Sequence, residues 1–177
     1  MKHPYSFQEL FVMQLRDLRC AEGQIAPFFP TMIDLISSGE LREELSNYCE
    51  LVKHSVETLE QILQEIPLPS EVEEGEMQCT VMTEILAEIA LVMHHGGNSA
   101  VKDAGLIALV QRAMHLKIAM YGTTRTYARH LNWDKAMNFC QRALNEEVES
   151  DARLTRIAEG GIFTTGINQE AVKNPSR

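Results

Sequence analysis

In steps of three and four, the apolar positions of this chain line up into five amphipathic segments, and no two-residue alternation competes with them. The first stripe runs Phe7, Leu10, Phe11, Leu15, Leu18, Ile25, Phe29, Met32, Ile33 and Ile36. Ser6, with Glu9 three residues on, has the spacing of a capping box and marks its start. Pro27 and Pro30 predict a kink or a split in its last third, and Ser37-Ser38-Gly39 an end. The second helix is expected over 40–66, through Leu41, Leu45, Tyr48, Cys49, Val52, Val56, Leu59, Leu63 and Ile66. A proline-rich acidic loop, PLPSEVEEG, follows at 67–75, then a shorter helix at 77–93 buried through Met82, Ile85, Leu86, Ile89 and Val92. HHGGN at 94–98 is a break, Ser99 a cap for a helix over 100–131, and the last helix covers 134–158 until Glu159-Gly160-Gly161 stops it.

Four long helices with short links predict one all-α domain over 1–160, an antiparallel four-helix bundle. The shorter helix falls in the crossover between the second and third long ones. The polar segment 161–177 is expected to be a partly mobile tail. A length of 177 residues and an apolar fraction of 45% suit a single sizeable core. The formal net charge of −9 argues against nucleic acid or an anionic membrane as partner. Cys20, Cys49, Cys79 and Cys140 form no CxxC pair, and MKHPYSFQEL enters an amphipathic pattern without a signal peptide. The expectation is a cytoplasmic protein with free thiols.

The candidate chemistry lies where polar residues interrupt the buried stripes. Glu22 falls between Leu18 and Ile25. Within MHLKIAMYG (114–122), Lys117 and Tyr121 share the face of Leu106, Val110, Ala113 and Met114. In the last helix Glu147 and Asp151 continue the stripe of Trp133, Met137, Cys140 and Leu144. Tyr48 and Ser55 are offered by the second helix. Carboxylates facing one core must be paired, protonated or metal-bound. One solution is an internal ion pair with Lys117, Tyr121 completing the hydrogen bonds; another is a divalent metal on the acids; a third has Lys117 snorkelling to solvent. Glu50 and His54, at i, i+4, fall opposite the stripe and are taken as surface residues, as are His94 and His95 in the break.

Three segments carry a resemblance: LFVMQLRDLRCAEGQI (10–25), VKDAGLIALVQRAMHLKIAMYGT (101–123) and ALNEEVESDARLTRIA (143–158). In order and separation they resemble the YciF/YciE family of bacterial ferritin-like, stress-associated proteins, over about residues 6–158. The resemblance implies a ferritin-like bundle, often a homodimer, whose inward carboxylates can hold two metal ions. It matches Glu22, Glu88, Tyr121, Gly122, Glu147 and Asp151 to family positions. It departs where the family's Glu-His-Tyr-Glu reads Met114-His115-Leu116-Lys117, losing both glutamates, and where often-polar positions carry Tyr48, Val52 and Ser55.

The favoured expectation is a stress-associated, non-catalytic bundle with a degenerate metal centre, no cofactor, and Lys117 supplying the charge a metal would bring. The alternative is an iron- or manganese-dependent oxidase or peroxidase with Glu22, Glu147, Asp151 and His115 as ligands. A helical adaptor with a small apolar ligand among its nine methionines is a third class. Motifs of hydrolases, phosphate binders and HExxH metalloproteases are absent.

Overall fold

Helix α1 (Phe7–Met32) starts as its sequence dictates: the Ser6 hydroxyl accepts from the Glu9 amide at 3.1 Å while the Glu9 carboxylate accepts from the Ser6 amide at 2.8 Å. The computed structural model describes residues 6–67, 79–162 and 164–173. Of the expected acidic loop only Pro67 falls among them, as do only residues 79 onward of the region before the short helix. The expected split at Pro27 and Pro30 does not occur: α1 runs through both prolines and ends in one 3₁₀ turn, Ile33–Leu35. Both prolines are exposed, so their rings sit on the outer face of the helix rather than in the core.

Helix α2 (Gly39–Glu65) is capped by Ser38, and the preceding turn is tied to helix α4 (Ser99–His130) by Asp103. The buried Asp103 carboxylate accepts from the Ser37 amide and hydroxyl and from the Ser38 amide at 2.6–3.2 Å. Helix α3 (Thr80–His94) packs on α1 and α4 through Met82, Leu86, Ile89 and Met93. The cap of α4 is Asn98 rather than the expected Ser99: its side-chain oxygen takes the amides of Ala100 and Val101 at 2.8 and 3.3 Å. Helix α5 (Asp134–Glu159) follows.

Two apolar clusters fill the bundle. The proximal one holds Phe11, Leu15 and Leu18 of α1, Leu59 and Ile62 of α2, Tyr121 and Ala128 of α4, and Phe139 and Ala143 of α5. The distal one holds Ile25 and Phe29, then Leu41 and Leu45, Leu106 and Val110, and Leu154 and Ile157 of the same helices. Helices α1 and α5 therefore run from proximal to distal, and α2 and α4 run the other way. Each helix packs on antiparallel neighbours, α1 on α2 and α4, α5 on α2 and α4. Because α2 and α4 point the same way, the chain must return along the bundle between them. That return carries α3, which is the one-crossover topology of ferritin-like bundles.

The end of the chain holds an element that periodicity did not predict. Helix α6 (Ile167–Lys173) docks on α4 and α5 with Ile167 buried. The reversal into it depends on two glycines. Gly160 has φ of 76°, and a Cβ on Gly166 would stand 2.3 Å from the Glu159 carbonyl carbon, so only glycine lets the two backbones cross. No described helix is long and apolar enough to cross a membrane.

Candidate functional site

Between the two apolar clusters every long helix contributes buried polar side chains. Glu22 separates Leu18 from Ile25, Ser55 separates Val52 from Leu59, Lys117 separates Met114 from Tyr121, and Glu147 separates Ala143 from Leu154. The result is a polar layer across the middle of the bundle.

Lys117 is the centre of that layer and has no exposed surface. Its Nζ lies 2.7 Å from Glu22 Oε2 and 2.7 Å from Glu147 Oε1. Each carboxylate uses its other oxygen to accept from a phenol: Tyr121 Oη donates to Glu22 Oε1 at 2.5 Å, and Tyr48 Oη donates to Glu147 Oε2 at 3.0 Å. The ammonium also lies 4.9 Å from the centre of the Tyr48 ring, a cation–π distance. Among the described residues no buried side-chain nitrogen or oxygen lacks a hydrogen-bond partner.

The electrostatics follow from this geometry. Burial pulls the Lys117 amine down, but Glu147 and Glu22 together outweigh it and hold the amine well above its ordinary range, so it stays charged. Burial, with the neighbouring carboxylates, raises both phenols, so Tyr48 and Tyr121 stay neutral donors. For Glu147 burial dominates, and despite Lys117 its carboxyl is pushed up to about 7. With that proton on, one ammonium faces one carboxylate and the layer is neutral; with it off, the layer carries a buried negative charge.

Two residues that the sequence grouped with these acids lie elsewhere. Asp151 is not in the layer: its Oδ1 accepts from Gln111 Nε2 at 3.0 Å and lies 3.5 Å from His115 Nε2 near the surface. The buried face of α5 steps from Glu147 to Ser150 and Leu154, which turns Asp151 toward α4 instead. His115 is 65% exposed in its side chain and points away from the layer. Glu88, in α3, pairs with Arg112 on the surface at 3.2 Å. Glu50, His54, His94 and His95 are exposed. Beside the layer, Arg153 of α5 donates to both oxygens of the buried Glu44 at 2.9 Å and to Ser150 Oγ at 2.7 Å, a pairing that periodicity alone did not single out.

The residues of the layer do not fit a metal ion. An ammonium stands between the two carboxylates, and both remaining oxygens are taken by phenols. Among the described residues no group of three or more His, Cys, Asp or Glu converges to hold an ion. Two-metal bundles use about four carboxylates with histidines, and this layer has two carboxylates and no imidazole.

Comparison with known proteins bears on the same span. Residues 6–171 match the family described as Domain of unknown function (DUF892). The chain belongs to that family. It is similar to Protein YciF of Escherichia coli (strain K12), 28% identical over 157 residues that cover 89% of this chain and 93% of YciF. The crystal structure of the E. coli stress protein YciF superposes with a TM-score of 0.77 at 27% identity, covering 86% of this chain and 94% of that one. YcfI from Rhodopseudomonas palustris, described as a putative structural protein, superposes with a TM-score of 0.78 at 26% identity, covering 86% and 95%. The matched span reaches into α6, so the helix past the Gly160 stop belongs to the family's extent.

Proposed function

We propose that this DUF892 protein is a metal-independent, non-catalytic bundle of the YciF type, serving a stress-associated structural role as a cytoplasmic homodimer. The observation that carries the reading is Lys117 Nζ at 2.7 Å from both Glu22 and Glu147. A fixed internal ammonium supplies the positive charge that a carboxylate-lined bundle otherwise takes from a cation, and it repels any cation that approaches the same point. The stress association rests on the likeness to the E. coli stress protein YciF, and the homodimer on the family resemblance. With two phenols donating to the carboxylates, the layer presents no open coordination position and no unpaired base to a substrate.

The test is elemental analysis of the full chain purified without chelator, beside its Lys117→Glu variant, with hydrogen peroxide turnover measured on both. The wild type is expected to carry well under one iron or manganese per chain and to show no sustained turnover, and the variant to gain affinity for the metal. Stoichiometric iron or manganese in the wild type, removable by chelator with loss of peroxide turnover, overturns the proposal. Sedimentation velocity checks the dimer: a single species at twice the chain mass is expected.

A further inference from the structure

Away from the polar layer, two thiols from distant parts of the chain meet at the edge of the bundle. Cys20 on α1 and Cys79, the residue that leads into α3, are both part-buried, whereas Cys49 and Cys140 are buried. The Cys79 amide donates to Cys20 Sγ at 3.3 Å across 59 residues of sequence. Gln24, one turn along α1, donates from Nε2 to the same sulfur at 3.4 Å and to the Cys79 carbonyl at 3.5 Å. Thr83 Oγ1 lies 3.0 Å from Gln24 Oε1 and 3.3 Å from the Cys79 carbonyl and can donate to either. A cysteine's amide nitrogen lies within about 4 Å of its own sulfur, so the contact places the two sulfurs within about 7 Å of each other.

We propose that Cys20 and Cys79 form a peroxide-reactive dithiol site in which Cys20 is the attacking sulfur and Cys79 the resolving one. The two thiols are not equivalent. Cys20 Sγ accepts two N–H bonds, one from the Cys79 amide where α3 begins and one from Gln24, so two N–H dipoles point at that sulfur. Burial raises the Cys79 thiol, against a hydrogen bond from the Met82 backbone that lowers it, and the nearby Cys20 and Asp17 add to the rise, so it stays a thiol until it is needed. In the first step the Cys20 thiolate attacks one oxygen of hydrogen peroxide; the O–O bond breaks, hydroxide leaves, and Cys20 becomes a sulfenic acid. In the second, the Cys79 sulfur attacks the Cys20 sulfur; the S–O bond breaks and water leaves as the S–S bond forms. Two thiols are oxidised by two electrons and one peroxide is reduced to two waters. The product would clasp α1 to the start of α3. The site consumes one peroxide per chain and then stops until a thiol reductant restores it, which separates it from a turning-over metal centre.

The full chain, reduced and freed of reductant, is treated with a tenfold excess of hydrogen peroxide, blocked with iodoacetamide, and mapped by mass spectrometry without reduction. The expected product is a Cys20–Cys79 linked peptide lighter by two hydrogens, formed at least tenfold faster than any oxidation of Cys49 or Cys140. Cys79→Ser is expected to stop at a Cys20 sulfenic acid that a dimedone probe traps, and Cys20→Ser to leave Cys79 largely reduced at the same dose. Cys20 no faster to oxidise than Cys49 and Cys140, linkage between other pairs, or equal rates in the folded and urea-unfolded wild type would each overturn the proposal. The wild-type mapping decides the matter even where a variant folds poorly.

Discussion

Replacing Lys117 by methionine keeps most of the side chain's length and apolar stem and deletes only the charge. In the wild type the ammonium is 2.7 Å from each of two carboxylates that are 0% and 5% exposed. Without it, Glu22 and Glu147 face each other in a dry core with only the Tyr121 and Tyr48 hydroxyls as donors. Removing one partner of a buried ion pair costs about 3–5 kcal/mol, because the remaining charge is left uncompensated. For a chain of this size that corresponds to a fall in melting temperature of about 6–20 °C. Two features distinguish this from a packing defect. The loss should shrink from pH 8 to pH 5, as the orphaned carboxylates take up protons. Adding Glu147→Gln to Lys117→Met should then recover part of the loss at pH 8. Urea denaturation of the three proteins, followed by circular dichroism at both pH values, supplies every number needed. A loss below about 1 kcal/mol, with no pH dependence, would show that the ammonium lives in water and would refute the reasoning.

One further prediction concerns the same layer and another the end of the chain. Glu147, pushed up to about 7 against an ordinary value near 4.5, takes a proton more readily in the folded state; its contribution is fully present below about pH 4.5 and lost as pH rises through about 7, a fall of about 3 kcal/mol. Glu147→Gln should remove that slope, so its stability relative to wild type should climb between pH 4.5 and 8 in denaturant titrations; a constant difference across that range would contradict the assignment. Gly166→Ala places a methyl group against the backbone at Glu159–Gly160, which should undock α6 and raise hydrogen exchange over 160–173 while the four long helices keep their protection; unchanged exchange there would contradict the close crossing.

The helices were legible because each long one buries a regular stripe, and the polar layer was legible wherever a charge interrupts that stripe. Glu22, Lys117 and Glu147 were each visible in this way. Asp151 was not separable from Ser150 by spacing alone: both lie about one turn from Glu147, and on a helix of 3.6 residues per turn the choice between them depends on how α5 rotates against α4. Tyr48 could be put on a buried face, but its partnership with Glu147 depends on α2 lying beside α5, a tertiary fact. Helix α6 escaped periodicity because it buries little beyond Ile167 and is held by a backbone crossing between two glycines. The expected split at Pro27 and Pro30 did not occur, and both prolines lie on the exposed face of a continuous helix. The meeting of Cys20 with Cys79 was equally invisible, since it depends on how the crossover returns the chain to α1.

The central claim is that an ammonium of the protein occupies the point between Glu22 and Glu147. Anomalous diffraction from crystals grown with excess manganese examines that point directly. The account predicts Lys117 Nζ within about 3 Å of both carboxylates and no anomalous peak between the four long helices. Manganese peaks bridging Glu22 and Glu147, with Lys117 turned away from them, would contradict it.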